Sequence, residues 1–180
     1  MTKRVLCLLS EGFEEIETVT PVDLLRRAGA EVVMAALGSN MHVTGRSGIC
    51  LRADAKLDEL DPHAFDMLFI PGGPAVKLLR SDGRAATLAK TFAVEGKPVA
   101  AICAGPLVLH DAGLLIGRRY TAHDSTYGEL TQALAHEHVV EDGHLITSRG
   151  AGTALQFGLT LIKCLFSSDE GDKVAKAIMV

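Results

Sequence analysis

Short continuous apolar runs alternate with stretches of helical period along this chain. Val5–Leu9 is the first run, and a polar break at 10–12 closes it. From Glu14 to Ala28 apolar residues fall at Ile16, Val19, Val22, Leu25 and Ala28, the stripe of an amphipathic helix. Pro21 should kink that helix, and Gly29 is a fitting stop. Glu31–Leu37 reads as a strand, and residues 41–54 as a hairpin turning at Gly45–Gly48. Asp66–Ile70 is a buried strand that runs into the tight turn Pro71-Gly72-Gly73. Ser81–Glu95 predicts a helix closed by Gly96, Lys97–Ile102 a strand and Gly105–Ala112 a helix. Tyr120–Ala122 is strand-like and Ser125–Ala135 helical. Val139–Glu141 and His144–Thr147 flank Glu141-Asp142-Gly143, a hairpin signal. Gly152–Phe166 is a strongly apolar helix, and Asp169–Val180 a last short one.

Continuous apolar strands alternating with helices imply a mostly parallel sheet covered on both faces. The expected fold is α/β, a doubly wound sandwich in one domain spanning 1–180, with no repeat, linker or low-complexity tract. Length agrees, since 180 residues with 48% apolar content can bury a sizeable core. A net charge of −4 with mixed signs points to no specific nucleic acid and no acidic membrane surface. No apolar stretch reaches the roughly 18–20 residues of a transmembrane helix. The apolar run at the N-terminus is too short for a secretory leader, so it reads as a first strand and the protein as cytoplasmic. Cys7, Cys50, Cys103 and Cys164 are far apart without C-x-x-C spacing, which suits free thiols better than disulfides or zinc ligands.

In such sheets ligands bind at the carboxyl ends of the strands. Loops with chemistry stand there: the Glu14-Glu15-Ile16-Glu17 segment, Pro71-Gly72-Gly73, Cys103-Ala104-Gly105-Pro106, His123-Asp124-Ser125 and Arg149-Gly150. The turn at Cys103 has the mechanics of a nucleophile elbow, with small neighbours Ala101, Ala104 and Gly105 and with Pro106 in the first turn of the next helix. A helix N-terminus would favour the thiolate. Spacing alone leaves Cys103 either a nucleophile or a small core residue. Cys7 and Cys164 sit inside apolar patterns and read as core, and Cys50 lies on the hairpin. Glu14 and Glu15 read as solvated acids of a helix start, whereas Glu17 faces elsewhere and, if aimed into the cleft, would be held protonated beside the thiol. His123 is either a proton shuttle or a loop histidine bonding locally, and Pro71-Gly72-Gly73 either offers N–H groups to an oxyanion or is only a turn. His136 and His138 lack a third ligand, so no metal is expected.

Together these stretches resemble the ThiJ/PfpI superfamily, and within it the branch of the Parkinsonism-associated deglycase and its bacterial relatives. The matching pieces run from 12–29 through 66–73, 99–106, 121–125 and 145–159, in the family's order and across nearly the whole chain. The resemblance implies a flavodoxin-like, class I glutamine amidotransferase-like fold. It makes Cys103 the reactive cysteine, Glu17 the acid that hydrogen-bonds its sulfur, and His123 a loosely partnered histidine nearby. It makes Gly72, Gly73 and Ala104 the backbone donors around an anion pocket. Arg46 matches an arginine that reaches the pocket across a dimer interface, and the Glu14–Ala28 helix a main dimer element. Ala104 stands where peptidase-like and amidotransferase-like branches often carry a histidine, which counts against those activities. Ala151 replaces a common proline, and the tail after Ser168 is short.

The resemblance implies cofactor-independent glyoxalase-III or deglycase chemistry, in which Cys103 adds to a methylglyoxal-like α-oxoaldehyde or its early protein or nucleotide adduct. The alternative is a redox sensor or stress-linked chaperone whose Cys103 oxidises to sulfinic acid with little turnover. Hydrolysis of another small electrophile is a third reading that the elbow alone does not exclude.

Overall fold

The computed structural model describes residues 2–180. The chain lays down β1 (Arg4–Leu9), α1 (Glu15–Arg27), β2 (Glu31–Ala36), β3 (His42–Thr44), β4 (Cys50–Arg52) and β5 (Ala55–Lys56). There follow β6 (Met67–Ile70), α2 (Ala75–Asp82), α3 (Arg84–Val94), β7 (Val99–Ile102) and α4 (Pro106–Asp111). It ends with β8 (Val139–Asp142), β9 (Leu145–Ser148), α5 (Ala154–Leu165) and α6 (Ser168–Ala177). Seven strands form one sheet in the order β5-β2-β1-β6-β7-β9-β8. All neighbours are parallel except β8 and β9.

Alternate residues of the central strands feed two cores. Leu6 and Leu8, Leu68 and Ile70, Val99 and Ala101 face α2, α3 and α4, with Phe65 and Phe92 filling that layer. Val5 and Cys7, Met67 and Phe69, Ala100 and Ile102 face α1, α5 and α6, packed by Leu25, Phe157 and Leu161. Burial on both faces is why these strands carry unbroken apolar runs. The strand order reverses between β1 and β6. The carboxyl ends of β1, β6, β7 and β9 therefore share one edge of the sheet.

Four expectations change. Pro21 sits inside α1 without interrupting it. The expected helix over 81–95 is two helices: α2 starts six residues earlier, and Gly83 at φ 82° caps α2 in the left-handed region where glycine is favoured. Residues 120–122 are no strand, because β7 and β8 already occupy both edges of β9. They are held instead by side chains, with Thr121 N–H donating to Thr147 Oγ1 at 3.0 Å. The expected helix over 125–135 is only a 3-10 turn at Asp124–Thr126. There Thr126 Oγ1 donates to His123 O (2.6 Å), and Thr121 Oγ1 donates to the carbonyls of Leu134 and Glu137, offering the backbone other partners than a helix.

The β3–β4 hairpin forms as expected, as a separate two-stranded sheet. It docks on the start of α1: Gly12 N–H donates to Thr44 O, Arg46 N–H to Phe13 O, and Ser47 N–H to Glu15 Oε1 (2.8, 2.8 and 2.7 Å). The tail forms α6, against α5.

Candidate active site

Cys103 follows directly on β7 and is the one non-glycine residue besides Met179 with positive φ among the described residues, at 63°. A left-handed cysteine costs about 1–3 kcal/mol, so surrounding contacts must hold it. They do: Cys103 N–H donates to Ser148 O of β9, and Cys103 O accepts from His123 N–H, both at 2.9 Å. Gly105 fits where a Cβ would come within 2.7 Å of Ile70 O. The sharp turn expected from the small neighbours is present, and the half-buried sulfur opens into a cleft of about 440 Å³.

Glu17 stands on the first turn of α1 and is 1% exposed. Its neighbours are the Cys103 thiol and the Gly72 N–H, and Oε2 is buried without a well-formed hydrogen bond. Burial pushes the Glu17 carboxyl up to about 7, against the lowering pull of the thiol. Burial, and next the Glu17 charge, push the thiol up to about 12, while the N–H groups of Gly73 and Ala104 pull it back. The free-standing acidic thiolate expected from a helix N-terminus is therefore not what the site provides. Burial and the Glu17 charge outweigh what the start of α4, a six-residue helix beginning at Pro106, can offer the sulfur. Cysteine and acid are each other's neighbours, so the ionisation of one opposes that of the other.

The glycines earn their places by space. A Cβ on Gly72 would lie 2.6 Å from Cys103 Cβ and closer still to Glu17 Oε2. A Cβ on Gly73, at φ 87°, would lie 2.7 Å from Glu14 N. The backbone donors divide their work: Gly73 and Ala104 face the sulfur, whereas Gly72 faces the Glu17 carboxyl.

Glu14 and Glu15 are buried and not the solvated acids expected. Glu14 Oε2 accepts from Glu17 N–H at 2.7 Å and caps α1. Glu15 loses hydration on burial, but hydrogen bonds led by the Ser47 N–H hold its carboxyl below the usual range and fasten the hairpin.

His123 lines the same cleft. Its Nδ1 accepts from Ser125 N–H at 3.2 Å and lies 2.9 Å from Ser125 Oγ and 3.0 Å from Asp124 Oδ1. The histidine thus bonds locally and also lines the cleft at Cys103. Arg46, on the docked hairpin, lines the cleft. Arg80 closes the opposite wall, with bidentate bonds to Asp111 and Glu129 at 2.7–3.0 Å. Lys77 also lines the cleft. Sequence reasoning missed Ser125, Lys77 and Arg80, whose roles depend on segments 31 to 49 residues apart or on a turn with no distinctive pattern. Cys7 is fully buried as expected, but Cys164 is exposed on the outer side of α5.

Among the described residues no three His, Cys, Asp or Glu side chains are grouped to hold a metal, and no helix is long and apolar enough to cross a membrane.

A sequence profile of the DJ-1/PfpI family matches residues 3–164. Arabidopsis thaliana protein DJ-1 homolog B is 38% identical over 182 residues, 99% of this chain. The chain spans less than half the length of the two Arabidopsis relatives it matches, 42% and 46%. Deglycase TK1284 of Thermococcus kodakarensis is 34% identical over 165 residues, covering 90% of this chain and 99% of that protein. Among solved structures, oxidised Toxoplasma gondii DJ-1 is similar with a TM-score of 0.92 at 32% identity, covering 99% of this chain and 98% of that one. Strained cysteine, buried acid and these relatives agree, and the chain belongs to the DJ-1/PfpI family.

Proposed function

We propose that this protein is a cofactor-independent enzyme of the glyoxalase-III or deglycase type, acting on methylglyoxal-like α-oxoaldehydes or their early adducts. The observation that carries this reading is the buried Glu17 carboxyl set against the Cys103 thiol. The N–H groups of Gly73 and Ala104 face the sulfur and favour its anion as it forms, and the Glu17 carboxyl beside it is the group that can take the thiol proton.

In the first step Sγ bonds to the aldehyde carbon. The carbonyl π electrons move to oxygen, and the thiol proton passes to that oxygen by way of Glu17, giving a hemithioacetal. Glu17, now ionised, takes the proton from the former aldehyde carbon to give an enediol and returns it to the neighbouring carbon, while the hydroxyl proton passes to the neighbouring oxygen, which leaves a 2-hydroxy thioester. Water cleaves the thioester to the hydroxy acid and restores the thiol. Gly73 and Ala104 N–H groups would hold developing negative charge, and His123 borders the same space. An adduct on an amine or thiol enters the same route once its carrier departs. That relatives carry the name deglycase supports the reading.

The test is lactate release from methylglyoxal without glutathione, which Cys103→Ser should abolish. Full activity in Cys103→Ser would overturn the mechanism. A stable two-oxygen adduct on Cys103 under peroxide, with negligible turnover, would replace it by the redox-sensor reading, which the oxidised relative favours. We further infer that two copies pair through α1, supported by the exposed Ile16 and Val19 one turn apart on it.

A further inference from the structure

A second cleft, of about 580 Å³, shares His123 with the cleft at Cys103. His123 lines both clefts, so one imidazole is the only wall that the two name in common. Arg149, Tyr127 and His138 line the second one. Its position follows from the register. Ile102 of β7 pairs with Ser148 of β9, so Cys103 and Arg149 are the next residues beyond two neighbouring parallel strand ends. Such positions are separated by one interstrand spacing, about 4.8 Å. Gly150 confirms the closeness: a Cβ there would lie 3.4 Å from His123 Cδ2 and 3.9 Å from Glu17 Oε1.

The charge in this cleft is unbalanced. Arg149 is half-buried, donates to Ala135 O at 3.3 Å, and has no carboxylate partner among the described residues. Asp124 also lines the cleft, but its carboxylate is 81% exposed and lies beside His123 Nδ1. His138 Nδ1 is 3.3 Å from Gln156 Oε1, a neutral partner. Across His123, Arg46 and Lys77 line the reactive cleft and likewise lack ion-pair partners, whereas Glu129 is engaged by Arg80. In a chain of net charge −4, three cations without ion-pair partners, Arg46, Lys77 and Arg149, line these two clefts, against the one outward-lying carboxylate of Asp124.

We propose that the cleft beyond His123 is a binding subsite for the carrier end of an aldehyde adduct, and that Arg149 anchors a phosphate or carboxylate on that carrier. A guanidinium presents a planar fork that matches either anion. A free α-oxoaldehyde would fill only the cleft at Cys103, while an adduct would place its carbonyl there and its anionic carrier past the imidazole. This rests on Cys103 as the group that meets the aldehyde carbon, but the subsite is testable by binding alone.

Cys103→Ser protein is titrated calorimetrically with three unreactive acetonyl thioethers, those of 3-mercaptopropionate, 2-mercaptoethyl phosphate and 2-mercaptoethanol. The two anions should bind about tenfold or more tightly than the neutral compound, with the gap narrowing as salt rises. Adding Arg149→Met should erase the gap and Arg149→Lys should keep part of it, with melting temperature as the check on folding. The ratio of phosphate to carboxylate affinity identifies which anion the subsite takes. Equal affinity for all three compounds, or a preference that survives Arg149→Met in a folded protein, overturns the proposal. If Arg149→Met does not fold, the charge preference of Cys103→Ser and its salt dependence, together with Arg149→Lys, decide. A protein that binds anions this way yet never turns over methylglyoxal would fail the enzyme reading and leave the subsite standing.

Discussion

Glu17 is a carboxyl that the fold prefers to keep neutral, and this has consequences in two measurements. Its ordinary pKa of 4.5 rises to about 7 on burial. In the unfolded chain it releases its proton near pH 4.5, and in the folded chain only near 7. The fold therefore binds the extra proton between those values, and its stability falls as pH rises through that window. Above pH 7 the full penalty stands, on the order of 3 kcal/mol for a shift of this size. Glu17→Gln removes the titration and keeps the shape. Urea unfolding should find the variant gaining on the parent by that order between pH 4.5 and pH 8. Equal slopes in both proteins would mean that Glu17 ionises freely. The same substitution removes the base that moves the carbon-bound proton, so methylglyoxal turnover should fall about 10²- to 10⁴-fold. A sequence reader can place this acid on a helix start and can see the small residues around Cys103. That Glu17 is buried against the sulfur, and Glu14 and Glu15 are spent on a cap and a hairpin clasp, depends on where α1 lands against β6 and β7.

At the scale of elements, α1 holds the acid in place because α5 holds α1. The two helices approach closely at Gly158, where a Cβ would stand 2.6 Å from Leu24 Cδ1 and 3.1 Å from Pro21 Cα. Leu24 is 2% exposed in a packed core and has little room to yield. Gly158→Ala gains up to about 1 kcal/mol of helix propensity but must force the helices apart, which typically costs about 1–3 kcal/mol. A net loss of stability is expected, seen as a lower melting temperature, and with it slower turnover as Glu17 is shifted from Cys103. A variant as stable and active as the parent would show that this contact does not position the acid. Elements read well from sequence where period and burial agree: the central strands, α1, both hairpins and α5 stand near their expected places. They read poorly where side chains bond to backbone. Segment 120–135 is organised by Thr121, His123 and Thr126, whose hydrogen bonds leave no periodic trace, and Gly83 divides a stretch whose apolar spacing alone suggests one helix.

For the whole molecule, the surface around α1 asks for a cover. Ile16 and Val19 are 54% and 44% exposed, and Ile49 on the hairpin docked to α1 is 54% exposed. Isolated apolar side chains on a surface need no explanation, but two on one helix face and a third on an element clasped to it form a candidate contact region. A second copy of the chain fits it, since a two-fold pairing of α1 would set the same apolar face against itself. Pairing there would also stiffen the hairpin that carries Arg46 to the reactive cleft, so oligomeric state and turnover are expected to move together. Ile16→Asp places a charge on that face at a position already half in water, so it should leave the monomer folded. Sedimentation should find the parent chain at twice the monomer mass and Ile16→Asp at or near the monomer mass at the same concentration. Its methylglyoxal turnover should be lowered, and lowered most at dilutions where the parent still pairs. A parent chain that sediments as a monomer would remove α1 as a dimer element, and the cleft at Cys103 would then have to act with Arg46 of its own chain alone.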